Sequence, residues 1–374
     1  MRRLAVALRQ EAAAFSLRGP RALLALRPVL SVGLAVASSH AIGLQDSWWA
    51  AITAFVVMQE DFGASMERGI LRIIGTLVGA ALALALGPRV AGQAALFVLL
   101  MGIGAWVGLF GALVRRYSYA WVLGLVTFVM VSCEAVATAA APDAHGDLFE
   151  FAAMRVANIV LGAVACVLVS GLSDPRLFAR LRGRAPAVQA PVAATALAAA
   201  PDRSAAALHS LHGALAVALL SIAVSLHELK AFPQAMVTTI AVLIVPLGGS
   251  EIERRESVLQ RMVQRFAGCL LAGACALLLL PLVEHRTWPC QMLLALGVWL
   301  GAYLQKGLPD VRYMGVQFSV AFMMVFVQDR GWTVAQGPAL QRLGGVFAGI
   351  AGLCLVFGLS MLLRAAFGRR RSAP

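Results

Sequence analysis

Several polar side chains in this sequence fall where apolar runs would bury them, and their types set the chemistry to be weighed. Glu134 lies inside the run VMVSCEAVAT. A charged carboxylate at the centre of a bilayer costs about 2.5–3.5 kcal/mol on insertion scales. Such a residue is kept neutral, paired or beside a wet cavity, so Glu134 is a candidate proton carrier. The alternative is that its helix ends early and leaves it at an interface. The position 194 residues further on is Gln328, beside Asp329, which makes Asp329 a second acid of this kind. Arg155 and Arg342 stand at the starts of two later apolar runs. A guanidinium binds a carboxylate through two parallel hydrogen bonds, which suits both residues to an organic anion. Arg72 and Arg265 also open apolar runs, and for these the ordinary reading is a side chain reaching to lipid headgroups.

The pair Trp48-Trp49 opens a short apolar run that closes at Gln59, Glu60 and Asp61. Paired tryptophans fit the aromatic belt of a membrane protein, and one of them could instead stack an aromatic substrate. Trp48, Trp49 and Gln59 therefore join Arg155 and Arg342 as candidates for substrate contact. Glu60 and Asp61 are suited to capping a helix or pairing with Arg68 or Arg72. His209 and His212 have the spacing of a metal pair but no evident third ligand, so an interfacial position is expected and no metal site. No nucleophile with a neighbouring base and no Gly-x-Ser-x-Gly turn occurs, so neither an enzyme nor a cofactor is expected.

Long apolar helices would have to position these groups. The chain has 374 residues, 60% hydrophobic and 13% charged, against about 25% charged in soluble domains. Its apolar runs have the length that crosses a bilayer core at 1.5 Å per residue, and their lack of alternation argues against a β-barrel. The expected fold is an all-α polytopic membrane protein of about twelve transmembrane helices. The first six fall near 24–44, 47–62, 69–88, 91–113, 119–140 and 152–172. The second six fall near 206–228, 232–249, 262–283, 288–305, 311–328 and 340–364. The segments 24–172 and 205–365 then form two membrane repeats, flanked by an N-terminal segment 1–23, a Pro- and Ala-rich linker 173–204 and a basic tail 366–374.

The net charge of +13 does not point to nucleic acid, because the charges cluster at the ends of apolar runs. With both termini in the cytoplasm, 25 Lys and Arg fall inside and six outside, as topology signals should. Arg155 and Arg342 are among the six, and pairing with Glu134, Asp329 or an anionic substrate would explain them. The N-terminus lacks the apolar core of a cleavable signal peptide. Its Leu4, Leu8 and Phe15 fit one face of a helix lying on the cytoplasmic membrane surface, and a plain solvated cap is the equal alternative. The six cysteines form no CxxC pair, and no structural disulfide is expected.

The two halves repeat. Arg72 and Gly75 return as Arg265 and Gly268, and Gly104-Ala-Trp106-Val-Gly108 returns as Gly297-Val-Trp299-Leu-Gly301, all 193 residues later. Arg155 and Gly162 return as Arg342 and Gly349 after 187. Within the first half, Arg-x6-Gly occurs at Arg72 and again at Arg155, which points to a 3+3 inverted arrangement in each half. Spans 2 and 8 are short or broken by Pro233 and Pro246. Such segments at matching positions of two repeats are a sequence marker of a transport site. The stripes Gly75-x3-Gly79, Gly104-x3-Gly108 and Gly345-x3-Gly349 let helices approach closely in lipid.

The stretch Gln45–Ala80 resembles the signature of the fusaric-acid-resistance family of aromatic acid exporters. Trp49, Ala50, Thr53, Met58, Gln59, Arg72, Gly75, Thr76 and Gly79 carry the resemblance. It implies a bacterial inner-membrane exporter of aromatic or other organic acids, with a periplasmic membrane-fusion adaptor as partner. Plant aluminium-activated malate channels are distantly similar. Many family members carry a large cytoplasmic domain, for which only 173–204 is available here. The second half keeps Arg265 and Gly268 but not the Met-Gln and Gly-Thr pairs. The expected function is proton-coupled efflux of organic anions, since no Gly-x4-Gly-Lys-Ser/Thr motif for ATP is present. An anion channel and a non-transporting scaffold of an envelope assembly are the competing functions. Expected partners are the lipid bilayer and a small organic acid, with a homo-oligomer allowed.

Overall fold

The computed structural model describes residues 2–174, 202–227, 232–246, 250–283, 286–328 and 336–371. Among these residues, regular structure is helical throughout. The first half runs α1 (Arg2–Ala13), α2 (Pro20–Leu24), α3 (Leu26–Ile42), α4 (Trp48–Val57), α5 (Phe62–Val90), α6 (Ala94–Val114), α7 (Ser118–Ala137) and α8 (Ala144–Leu172). The second half runs α9 (Arg203–His227), α10 (Phe232–Leu243), α11 (Glu251–Leu279, continued by a 3-10 turn Leu280–Leu282), α12 (Thr287–Gln305), α13 (Pro309–Phe326) and α14 (Gln336–Arg371). Most of the expected linker, and Asp329, lie outside the described residues.

Eight helical segments are long and apolar enough to cross a membrane: 20–42, α5, α6, α7, α8, 203–225, 251–282 and 343–362. The chain is a multi-pass membrane protein. The expected count of twelve spans is not reached on this criterion. Helices α4 and α10 are apolar but short. Helices α12 and α13 form where spans 10 and 11 were expected but are not among the eight. The reason is plain in α13, which carries Asp310, Arg312 and Gln317. Its residues Val311, Met314, Gln317, Phe318 and Phe322 are buried in protein, so it need not be apolar on every face.

The chain divides into two compact units. The first holds 1–76, 153–201 and 259–339; the second holds 77–152, 202–258 and 340–374. Neither unit is one half of the sequence. In the first, α3 and α4 pack with α12 and α13, and in the second α9 and α10 pack with α6 and α7. Each unit thus joins the helices at the first two expected spans of one half to helices from the middle of the other.

The core of the first unit is built on Phe55, Phe318, Phe322 and Phe326. The last two rings stack with centroids 4.2 Å apart. A phenylalanine every fourth residue keeps the rings on one helical face, and that face of α13 meets α4. Glycines admit the neighbouring helices. Gly104 lies under the Phe128 ring in the second unit, and Gly297 under Phe322 in the first. A Cβ on Gly108 would come within 2.9 Å of Leu125 Cβ, and one on Gly301 within 3.0 Å of Ser319 Cβ. These are matching positions of the two sequence halves.

Helix α1 turns part of its apolar face to protein. Ala7, with Leu4 and Leu8, packs against Val311 and Met314 of α13. Glu11, 6% exposed, pairs with Arg21 at 2.6 Å and accepts a hydrogen bond from the Leu308 N–H at 2.6 Å. Arg21 donates from Nε to the Tyr303 carbonyl at 2.8 Å and lies over the Tyr303 ring. Phe15 packs on Tyr303 with ring centroids 5.2 Å apart. The apolar face meets α13, and the buried Glu11 carboxylate is tolerated because it has partners of this kind.

Candidate functional site

Helix α4 is the centre of the site. It has ten residues and is about 15 Å long at 1.5 Å per residue, half the hydrocarbon thickness. Helix α3 ends at Gly43, whose φ of 78° is the left-handed cap that glycine adopts without strain. The chain turns through Asp46, at φ 57°, into α4. Ser39 Oγ lies 2.9 Å from Ser47 Oγ and donates to Asn158 Oδ1 (3.0 Å), while Asn158 Nδ2 donates to the Gln45 carbonyl at 2.7 Å. These bonds tie the start of α4 to α8.

On that scaffold Arg155 and Trp49 come together. The Arg155 guanidinium carbon is 3.6 Å from the centre of a Trp49 ring. Trp49 is 8% exposed and Arg155 2%, so neither is an interfacial anchor. A desolvated cation over an indole contributes about 2 kcal/mol. Arg155 also feels the negative charge of Asp46 and the positive charge of Arg72. Trp48, half-buried, lies against Trp49 with ring centroids 3.9 Å apart and donates from Nε1 to Asp46 Oδ1 at 3.0 Å.

Arg72 corrects the expectation made for it. It is buried, and its Nε donates to Thr53 Oγ1 at 3.0 Å. Thr53 donates in turn to the Trp49 carbonyl at 2.7 Å. Arg265 is likewise buried and donates to Gln317 Oε1. Neither reaches to headgroups. Two buried guanidinium groups, an indole and short hydroxyl side chains thus form a cationic cluster inside the first unit. Such a cluster has the kind of donors a carboxylate takes.

The other candidates fall elsewhere. Gln59 lies beyond the C-terminal end of α4, where its amide donates to the Met58 carbonyl at 2.9 Å. The length of α4 separates it from Arg155, so it caps a helix and does not join this cluster. Asp61 caps α5, accepting the Ala64 N–H at 2.9 Å, and the Glu60 carbonyl accepts Arg27 Nη1 at 2.9 Å. Glu134 stands in the last turn of α7, half-buried, and its carbonyl accepts the Thr138 N–H at 2.9 Å. It therefore lies at a helix end, not mid-span. Arg342 lies in α14, and its side chain, like Asp329, is outside the described residues.

Sequence reasoning also missed a pair of helix stops. His209 and His212 are buried in protein. His209 Nε2 meets the carbonyl of Leu243, the last residue of α10, at 2.9 Å. His212 Nε2 is 3.0 Å from Ser360 Oγ. A short helix ending inside protein leaves carbonyls unpaired, and His209 satisfies one at α10 as Gln59 does at α4. Among the described residues, no group of three or more His, Cys, Asp or Glu could hold a metal ion.

Residues 21–231 match the model of the fusaric acid resistance protein family, and residues 252–357 match that of the fusaric acid resistance protein-like family. The chain belongs to the fusaric acid resistance family. The first match contains Trp49, Arg72 and Arg155, and the second contains Arg265 and Gln317. Aluminum-activated malate transporter 2 of Arabidopsis thaliana is 27% identical over 134 residues, which is 33% of this chain and 25% of that protein. This chain therefore aligns with about a quarter of that relative. No solved structure matches.

Proposed function

We propose that the chain is an inner-membrane transporter that exports organic anions, aromatic carboxylates in particular, with protons as the driving ion. The carrying observation is the Arg155 guanidinium stacked on Trp49 inside the first unit. Arg supplies the paired donors a carboxylate needs, and the indole supplies a face for an aromatic ring. The family and the partial likeness to a malate transporter support the same reading. The cluster is shut in this conformation, so access requires helix movement. A periplasmic adaptor completes the export path, and both termini lie in the cytoplasm.

In this reading the membrane part is two six-helix repeats, each 3+3 inverted, with twelve passes in all. The matching contacts of Gly104 with Phe128 and Gly297 with Phe322 support it. So does the presence of one short helix in each unit, α4 and α10, each ending inside protein as substrate-site half-helices do.

The test is efflux of labelled benzoate, 4-hydroxybenzoate and malate from preloaded cells with and without the protein. Faster efflux of the aromatic acids is expected, and equal rates with and without it would refute the reading. Glu134, at the outer end of α7, is the proposed proton acceptor from the outside, with Asp329 its counterpart. Glu134→Gln is expected to leave folding unchanged and remove the acceleration of efflux by an inward proton gradient. Efflux that still responds fully to the gradient would rule out this role for Glu134.

A further inference from the structure

Helix α1 has two faces in different surroundings. At 3.6 residues per turn, Leu4, Ala7, Leu8 and Glu11 fall on one side, and Val6, Arg9 and Ala13 fall on the other. The first side is occupied: its apolar residues pack on Val311 and Met314, and Glu11 is held by Arg21 and the Leu308 N–H. The second side is open, with Val6, Arg9 and Ala13 all exposed. The chain between α1 and α2 fixes which side is which. The Ser16 N–H donates to the Tyr303 hydroxyl at 3.1 Å, that hydroxyl donates to the Ala14 carbonyl at 3.4 Å, and Trp299 Nε1 donates to the Ala22 carbonyl at 3.0 Å. These bonds and the buried Glu11 oppose any roll of α1 about its own axis.

The open side carries charge of one sign. Residues 1–18 contain Arg2, Arg3, Arg9 and Arg18 and a single acid, Glu11. The fold takes that acid out of reach by burying it against Arg21 on the opposite side. Arg9 and Arg18 are exposed, and among the described residues neither makes a hydrogen bond or an ion pair. Leu17, beside Arg18, is exposed as well. The segment that follows, 20–42, is long and apolar enough to cross a membrane. Residues 14–19 reach at most about 20 Å when fully extended, so α1 lies close to the point where the chain enters the bilayer.

We propose that the open face of α1 docks on anionic phospholipid headgroups at the bilayer surface, making α1 a strap between the lipid and the turn from α12 to α13. Charge selects this occupant. Guanidinium groups take phosphate oxygens through paired donors, and each arginine near an anionic surface strengthens binding about fivefold. Val6 and Leu17 suit the boundary just beneath the headgroups. A second copy of the chain meeting this face symmetrically would set arginine against arginine. The strap goes beyond the transport reading and does not depend on it.

The test uses the purified full-length chain in lipid nanodiscs. Cys354→Ser removes the exposed thiol, and Val6→Cys carries a nitrobenzoxadiazole fluorophore whose position is confirmed by peptide mass spectrometry. Acrylamide, an uncharged quencher, reads the exposure of the label. Adding phosphatidylglycerol to phosphatidylcholine nanodiscs is expected to lower quenching about threefold, and high salt to restore it, because the attraction is electrostatic and screened. Arg9→Glu combined with Arg18→Glu is expected to abolish the effect, and the corresponding pair of lysines to keep most of it. Equal quenching in the two lipids, the result for a plain solvated helix, would overturn the proposal. So would shielding that survives the glutamate pair. Shielding in detergent that grows with protein concentration would assign the face to a second copy instead. Ala13→Cys puts the label on the same face and gives the same readings should the Val6 variant not fold.

Discussion

Replacing Arg155 with methionine lowers organic-anion export by about 100-fold or more, while the protein still reaches the membrane. The size follows from the bonds lost. Two charge-assisted hydrogen bonds to a carboxylate contribute about 1.5–3 kcal/mol each, and about 1.4 kcal/mol is a factor of ten in rate. Folding should survive because methionine fills similar space and removes a costly buried charge. Arg155 also stands against the Arg72 charge, so its removal relieves a repulsion. Arg155→Lys keeps the charge but loses the planar fork and the flat contact with Trp49, and a loss of about tenfold is expected for it. Labelled benzoate efflux, normalised to immunoblotted protein, makes the comparison. Full efflux by the methionine variant would mean that Arg155 is structural and the anion binds elsewhere.

Part of this cluster was legible in the residues alone. Arg155 stood out because the charge count assigned it to the side where positive charge is sparse, so headgroup contact did not explain it. Trp49 stood out as half of a tryptophan pair opening a run too short to span. Arg72 did not, because an arginine at the start of an apolar run on the basic side is the pattern of an anchor. Its burial depends on Thr53, 19 residues earlier, offering a hydroxyl from the short helix α4. Gln59 was grouped with Trp49 on sequence nearness, yet a ten-residue helix holds them at opposite ends. Glu134 shows the converse limit. Apolar composition continues through VMVSCEAVAT, and only the backbone shows that α7 stops at Ala137.

The pairing of helices was less legible still. The 193-residue repeat says that the halves are alike, but not which helices of one half meet which of the other. In the structure α4 meets α13 and α10 meets α7, so each short helix packs on a helix of the opposite half as well as on its own neighbours. Hydropathy cannot report this, since every face involved is apolar. The partner of the N-terminal helix was hidden for the same reason. An apolar stripe states that a face will be covered, and α13 covers part of this one.

The glycines at the short helices carry the second large effect. Gly162→Val and Gly349→Val should each abolish or severely reduce the yield of folded protein. A Cβ on Gly162 would press on the Ala50 carbonyl oxygen and come within 2.8 Å of Thr53 Cβ in α4; on Gly349 it would press on the Ala235 oxygen and come within 2.9 Å of Thr238 Cβ in α10. The obstacle is backbone, which cannot turn aside as a side chain can. Ordinary overpacking costs about 1–3 kcal/mol, and valine adds two further carbons to a gap already too small for one. Displacing α4 would also disturb Thr53 and Trp49, so the Gly162 variant that does fold should lose export beyond its loss of stability. Gly358, on the same helix as Gly349, has nothing within 4 Å of an added Cβ, and Gly358→Val is the control expected to behave as the parent. Thermal unfolding of detergent-purified protein, with size exclusion for yield, reads all three. Equal losses at Gly162 and Gly349 are the result that two equivalent half-helix seats require. Parent-like stability in either variant would mean that its short helix is not held by this contact.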